Sequence, residues 1–157
     1  MIMKINIINH RFTHLLYVVL ILVLYFLFLN NSYAQNSGGV LVVWESSQVQ
    51  KTSVLEIRRI YLGLPSSKES LIKKPIINSS NLATYKMFLK NIMHMTEKGY
   101  QRKIVKRIFR QGGEKVKEVN NITELIEYLK NNLNDISFMD KETAKKTKGL
   151  KVLQVLW

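Results

Sequence analysis

The chain has 157 residues, of which 24 are basic and 11 acidic, and its formal net charge is +13. The sequence contains no cysteine, which excludes disulfides, a thiol nucleophile and thiolate metal ligands. So positive a charge favours an anionic partner, such as a nucleic acid, an anionic membrane surface or a small anion.

The beginning of the chain has the three parts of a secretory signal peptide. Lys4 and Arg11 make it basic, and residues 15–29 are an uninterrupted apolar run. Ser32 and Ala34 then provide small residues at the two positions that signal peptidase reads. The alternative is a retained membrane anchor, but these 15 apolar residues are fewer than the roughly 20 that cross a bilayer. We therefore expect cleavage after Ala34.

Cleavage would separate a signal peptide, residues 1–34, from one mature domain, residues 35–157. Lys4 and Arg11 are the only charged residues of the leader, so the net charge of +13 would fall to +11. For an exported domain we expect no nucleic-acid partner, whereas lipid headgroups, polyanionic glycans and phosphate are accessible. A compositional bias toward Lys, Asn and Ile would explain the charge equally well.

After the leader, the chain alternates between strand and helix patterns. Residues 40–44 are a continuous β-branched and aromatic run, which predicts a strand buried on both faces. Ser53 and Glu56 fit a capping box at the start of a short helix, and Gly63 is placed to end that helix in a left-handed conformation. A second short strand is predicted at residues 75–78.

Two helices are expected next. The first follows three N-cap candidates, Ser79, Ser80 and Asn81, and has its apolar residues at Leu82, Tyr85, Phe88, Leu89 and Ile92. The second is more strongly amphipathic, with an apolar face of Ile104, Val105, Ile108 and Phe109. Its opposite face is basic and consists of Arg102, Lys103, Lys106, Arg107 and Arg110. Gly112 and Gly113 are expected to end this helix.

The rest of the chain continues the alternation. The predicted elements are a weak strand at 115–119, a helix capped by Asn121, a strand at 135–139, a polar turn or short helix at 141–146 and a closing strand at 150–156. This order predicts an α/β domain in which helices pack on a mixed sheet.

The sequence offers little material for catalysis. His94 is the only histidine that would remain after processing, so neither a histidine triad nor a multi-histidine metal site can form. The acidic residues are explained by helix capping, turns or solvation, and no glycine-rich phosphate loop is present. We therefore expect a protein that is not an enzyme and has no cofactor and no metal.

One segment has the chemistry of a binding site. Ser79, Ser80 and Asn81 lie between a predicted strand and a helix start, where free backbone N–H groups and the positive end of the helix dipole favour an anion. Hydroxyl groups could add further donors. Serine and asparagine at this position are also ordinary helix caps, and that interpretation stays open.

Residues 55–63, with the sequence LEIRRIYLG, resemble the L-x-x-I-F/Y-L-G helix of the substrate-binding proteins of phosphate ABC transporters, which belong to the periplasmic-binding-protein-like (PBP-like) superfamily. Further segments match this family in order: residues 75–77 before the serine-bearing helix start, the helix with Tyr85 and Leu89, the stop at 110–113, and residues 134–139 in the place of the family's G-A-I-G-Y-V. The likeness spans residues 40–156 and is greatest to short members that correspond to one lobe.

The resemblance implies an α/β PBP-like lobe, with a mixed β-sheet flanked by helices, in the periplasm of a Gram-negative bacterium. It also implies a phosphate or oxyanion site at Ser79, Ser80 and Asn81. The family's Ser-Gly-Thr core is absent from this loop, and Ser137 stands where the family has a strand glycine. A single lobe has half of a cleft, so an ABC-transporter permease or a second copy would be needed to cover the ligand.

Two functions are open at this stage. In the first, the chain is an exported, non-enzymatic solute-binding domain for phosphate or another small oxyanion. In the second, the ligand site has been lost, and the basic face of residues 102–110 docks on a membrane surface or a protein partner. A solute site requires convergent donors in a concavity, whereas docking requires only an exposed row of cations.

The leader gives the first testable prediction. We expect the exported protein to begin at Gln35 and to be released from the membrane, because a small-residue cleavage site follows the apolar run. N-terminal sequencing of the protein recovered after export measures this directly. An intact Met1 in the membrane fraction would instead identify the segment as an anchor.

Overall fold

The computed structural model describes residues 17, 19–21, 38–67 and 71–157. The chain divides into two compact units, residues 1–36 and 37–157. In the first unit the described residues are helical, and their side chains are more than half exposed. The predicted cleavage site at Ala34 lies outside the described residues. Within the described ranges, no helix is both long and apolar enough to cross a membrane.

The second unit has the alternating order that the sequence predicts. Its elements are β1 (Gly39–Trp44), α1 (Val54–Tyr61), β2 (Ile76–Asn78), α2 (Leu82–Phe88), a π-helical turn (Leu89–Met93), α3 (Glu97–Gln111), β3 (Lys117–Val119), α4 (Ile122–Asn131), β4 (Ser137–Asp140), α5 (Lys141–Lys146) and β5 (Leu150–Val155). The segment predicted as a polar turn or short helix is helix α5, because the Asp140 carboxylate accepts a hydrogen bond from the Thr143 N–H at 2.8 Å. The π-helical turn is not predicted by the sequence pattern.

The strands form two small sheets, which one bridge joins into a mixed sheet. β1 lies between β4 and β5 and is antiparallel to both, while β2 and β3 form a parallel pair. A parallel bridge between Pro75 and Ile136 joins the two groups, and the Ile76 N–H donates to the Ile136 carbonyl at 2.8 Å. The strands therefore follow one another in the order β3-β2-β4-β1-β5, and the predicted mixed sheet is confirmed.

β1 is buried on both faces, as its apolar run predicts. Val40 and Val42 belong to one hydrophobic cluster, which includes residues of α4 and α5. Leu41 and Val43 belong to another, which includes residues of α1, α2 and α3. Successive side chains of a strand point to opposite faces, so a strand between two helical layers must be apolar at every position.

Aromatic rings fill the larger of these two clusters. The rings of Phe88 and Phe138 stack with their centroids 3.8 Å apart, and the Tyr61 ring lies 4.8 Å from that of Phe88. The Tyr61 hydroxyl donates to the Ile76 carbonyl at 3.2 Å, and the Tyr100 hydroxyl donates to the Tyr61 carbonyl at 2.6 Å. Burial raises the pKa of both tyrosine hydroxyls, so they remain neutral donors inside the core.

The capping box predicted for α1 is half formed. The Ser53 hydroxyl accepts from the Glu56 N–H at 3.1 Å, as expected. The Glu56 carboxylate does not return to the cap but accepts from the Ser67 N–H at 2.6 Å, and so it attaches the following loop to the helix. Gly63 has a φ of +73° and ends the helix in the left-handed region, as predicted.

The apolar face predicted for α3 is partly wrong. Ile104 is buried and Ile108 is half-buried, but Val105 and Phe109 are 49% and 86% exposed. The helix contacts the core through Tyr100, Ile104 and Ile108, which are spaced by four residues. Val105 and Phe109 lie about 100° further round the helix, because each residue advances by that angle. A helix that packs along one narrow stripe leaves the adjoining row in solvent.

The two phenylalanines provide a matched test of this core. Replacing Phe138, which is fully buried, by Ala should lower the free energy of unfolding by about 3–5 kcal/mol, because it removes a stacked ring and leaves a cavity. The same change at Phe109 should alter stability by no more than about 0.5 kcal/mol. Urea denaturation measures both values. Similar losses in the two variants would contradict this assignment of the core.

Candidate anion-binding site

The residues predicted to bind an anion lie where β2 leads into α2. Ser79, Ser80 and Asn81 form this turn, which we call the β2–α2 corner. β3 runs parallel to β2 and ends beside it, and the Ser79 N–H donates to the Val119 carbonyl at 2.9 Å. In open α/β sheets, ligands bind outside the carboxyl ends of the strands. The structure thus brings the three residues together at a position suited to a ligand.

Asn78 organises the corner, and the sequence analysis did not single it out. Its side chain is buried at the end of β2, where its amide nitrogen donates to the Phe138 carbonyl at 3.0 Å. Its amide oxygen accepts from the Ser80 N–H at 3.1 Å and from the Ser80 hydroxyl at 2.6 Å. A polar residue that ends an apolar strand was the signal that could have identified it.

Much of the hydrogen-bonding capacity expected at the corner is used internally. Both Ser80 donors bind Asn78, and the Ser79 hydroxyl donates to the Val119 carbonyl at 3.4 Å. In this conformation the two serine hydroxyls therefore donate within the corner. The reason is local, because short polar side chains in a turn bond most readily to the backbone beside them.

Asn81 acts as the N-cap of α2. Its side-chain oxygen accepts from the N–H groups of Ala83 and Thr84 at 3.0 and 3.2 Å. Among the described residues, no group accepts from the N–H of Asn81 or of Leu82. These two N–H groups, which belong to exposed residues, and the Asn81 amide nitrogen are the donors that an anion would meet at the positive end of α2.

The basic residues predicted on α3 divide into two sets. All of them except Arg102 line a cleft of about 330 Å³ between α3 and the segment that follows α1. The residues of this cleft are Leu62, Leu64, Lys103, Lys106, Arg107, Arg110 and Gln111. Arg102, Lys103, Lys106 and Arg110 are exposed and Arg107 is half-buried, so the basic face that the sequence predicts is exposed except at Arg107.

His94 has a structural role in the fold. It ends the π-helical turn with a φ of +52°, and its Nδ1 lies 3.2 Å from the Lys90 carbonyl. Its Nε2 contacts the Arg58 guanidinium. A proton on Nδ1 satisfies both contacts, since Nε2 then accepts from the arginine. Within the described part of the chain, no group of three or more potential metal ligands is found.

Comparison with known proteins reveals the fold. No protein-family model matches the chain, and no curated protein sequence matches it. The solved structure of an ABC-type phosphate transport receptor from Vibrio cholerae is similar, with a TM-score of 0.52 and 17% sequence identity. The chain has a periplasmic-binding-protein-like fold. The similarity covers 79% of this chain and 52% of the receptor, so the chain spans about half of the receptor's length.

The central position of Asn78 leads to a prediction for the corner. Replacing Asn78 by Ala should lower the free energy of unfolding by about 1–3 kcal/mol, because the Phe138 carbonyl and the Ser80 donors lose a buried partner. The exposed Asn120 is the matched control, and its replacement by Ala should have an effect below about 0.5 kcal/mol. Urea denaturation of both variants provides the comparison. Equal stability in the two would show that Asn78 does not hold the corner together.

Proposed function

We propose that this chain is an exported solute-binding lobe that binds phosphate or a similar small oxyanion at the β2–α2 corner and is not an enzyme. The predicted signal peptide supports an exported, periplasmic location. The single observation that carries the proposal is the fold, since an α/β lobe of this kind places a strand-to-helix turn at the carboxyl ends of two parallel strands. The exposed N–H groups of Asn81 and Leu82 are suited to an anion there.

A single lobe would bind its ligand only weakly. The chain spans about half of the phosphate transport receptor that it resembles, and a ligand held by one lobe keeps much of its surface in water. We therefore propose that a transporter permease or a second copy of the chain covers the corner. With two free backbone N–H groups as its main donors, the isolated lobe should bind inorganic phosphate weakly.

Stabilisation by ligand tests this proposal. Inorganic phosphate at 100 times its dissociation constant should raise the free energy of unfolding by about 2.7 kcal/mol, because it binds the folded state only. Replacing Ser79 and Ser80 together by Ala should abolish this gain, since the hydroxyls shape the corner. Thermal unfolding and calorimetric titration with phosphate, sulfate and chloride are the measurements.

The variants need their own baseline, because losing the internal hydrogen bonds of the corner costs about 1 kcal/mol even without ligand. A double replacement of the exposed Ser46 and Ser67 by Ala is the matched control and should keep the full phosphate effect. If the unaltered protein gives neither heat nor a shift in melting temperature with millimolar phosphate, the solute-binding proposal fails.

A further inference from the structure

We propose that the cleft beside α3, lined by the residues named above and called here the α3 cleft, is a second anion site. We assign it to a phosphate group that carries an apolar portion. This inference goes beyond the solute site at the β2–α2 corner. It rests on four cations, one of which is the fixed guanidinium of Arg107, and on an apolar wall beside them.

Arg107 is the fixed element of the α3 cleft. Its Nη2 donates to the Glu114 carbonyl at 2.6 Å, and its guanidinium lies against Gly63, where an added Cβ would come within 2.5 Å of it. Its Nε is buried and has no hydrogen-bond partner in the described part of the chain. The bond to Glu114 and the contact with Gly63 hold the guanidinium in place, and its charge has no ion-pair partner among the described residues.

The charge of the α3 cleft is not neutralised by the protein. Among the described residues, the ion pairs join Arg59 to Glu56 and Lys145 to Glu142, and neither pair involves this cleft. Lys103, Lys106 and Arg110 line the same cleft as Arg107, on the side that α3 forms. Cations gathered around a concavity repel one another and attract a multivalent anion, which relieves that repulsion. Phosphate also matches the donor geometry of guanidinium.

The volume of the α3 cleft and its apolar wall favour an organic phosphate over inorganic phosphate as the ligand. The cavity of about 330 Å³ lies at the lower end of the range of about 300–1,000 Å³ that is usual for small-molecule sites, and it is larger than a bare phosphate needs. Leu62 and Leu64 line it beside the cations. An organic phosphate would place its charged group on the cations and its apolar portion on the leucines. A soluble phosphate ester and a phospholipid headgroup share this chemistry.

The α3 cleft and the β2–α2 corner lie at opposite ends of the parallel strands. Arg107 binds the carbonyl of Glu114, in the loop that leads into β3, whereas the corner lies where β2 and β3 end. No residue belongs to both sites, so variants of one leave the other intact. The two proposals can therefore fail independently.

Calorimetric titration of the mature protein with phenyl phosphate tests the α3 cleft. Replacing Lys103 and Lys106 together by Gln should weaken binding by about tenfold or more, because both cations line the cavity. Replacing Lys98 and Arg102 by Gln removes the same charge from positions of the same helix that do not line the cleft and should change affinity less than about twofold. These variants leave Arg107 in place, so a failure to fold does not confuse the result.

Three outcomes would overturn the assignment. The unaltered protein could fail to bind phenyl phosphate, or the variant of Lys103 and Lys106 and the variant of Lys98 and Arg102 could lose equal affinity for it. Binding could also be lost only in the double replacement of Ser79 and Ser80 by Ala. In the last case the corner is the binding site and the proposed function stands. If the α3 cleft variants lose binding while the corner variants do not affect the response to inorganic phosphate, the cleft assignment survives and the corner fails.

A second experiment distinguishes a phospholipid headgroup from a soluble phosphate ester as the source of the phosphate group. Vesicles of phosphatidylglycerol and phosphatidylcholine should bind the protein if a lipid headgroup is the ligand, and the exposed Phe109 would then enter the membrane surface. Replacing Phe109 by Ala should weaken vesicle binding several-fold and leave phenyl phosphate unaffected. Binding of phenyl phosphate without vesicle binding supports a soluble ester as the ligand. Whichever ligand binds, its loss in the Lys103 and Lys106 variant supports the α3 cleft as the binding site.

Discussion

The burial of β1 on both faces is the constraint on which the other packing depends. This strand pairs with β4 on one edge and β5 on the other, so its main chain is hydrogen-bonded on both sides. Its side chains alternate between two hydrophobic clusters, each of which requires helices to cover it. The indole of Trp157 lies over Gly39, where an added Cβ would come within 2.2 Å of the ring, and the Leu156 N–H donates to the Gly39 carbonyl at 2.7 Å. The layered fold follows from this one strand.

The junction between β2 and β4, called here the seam, joins the parallel and antiparallel parts of the sheet and determines the form of the β2–α2 corner. Few main-chain hydrogen bonds join β2 to β4, and buried polar side chains supplement them. The Ser137 hydroxyl donates to the Ile76 carbonyl at 3.0 Å, and Asn78 binds the carbonyl of Phe138. These bonds replace interstrand pairing that a continuous sheet would supply, and Asn78 then also binds Ser80. The groups that hold the seam together are thus the ones that occupy donors at the corner.

Positive charge is distributed unevenly with respect to the parallel strands. The corner at the carboxyl ends of β2 and β3 has uncharged donors, whereas four cations line the α3 cleft near the amino ends. The long side chains of Lys and Arg can lie along apolar surface and still present their charge to a cavity. At Arg107 the left-handed turn at Gly63 leaves room for the guanidinium, since any side chain there would displace it. The end of α1 and the shape of the α3 cleft therefore depend on the same glycine.

The sequence by itself determined the order of strands and helices, the two-sided burial of residues 40–44 and the helix ends at Gly63 and Gly112, because each depends on neighbours within a few residues. Helical spacing also identified Ile104 as a core residue. Helical spacing does not show which side of the apolar face meets the core. The assignment of Phe109 to the buried face is therefore wrong, although its side chain is as apolar as that of Ile104. Only the tertiary structure revealed the buried role of Asn78 and the position of Leu62 and Leu64 beside the cations of α3. Both arise from contacts between segments far apart in the chain, and no local pattern encodes such contacts.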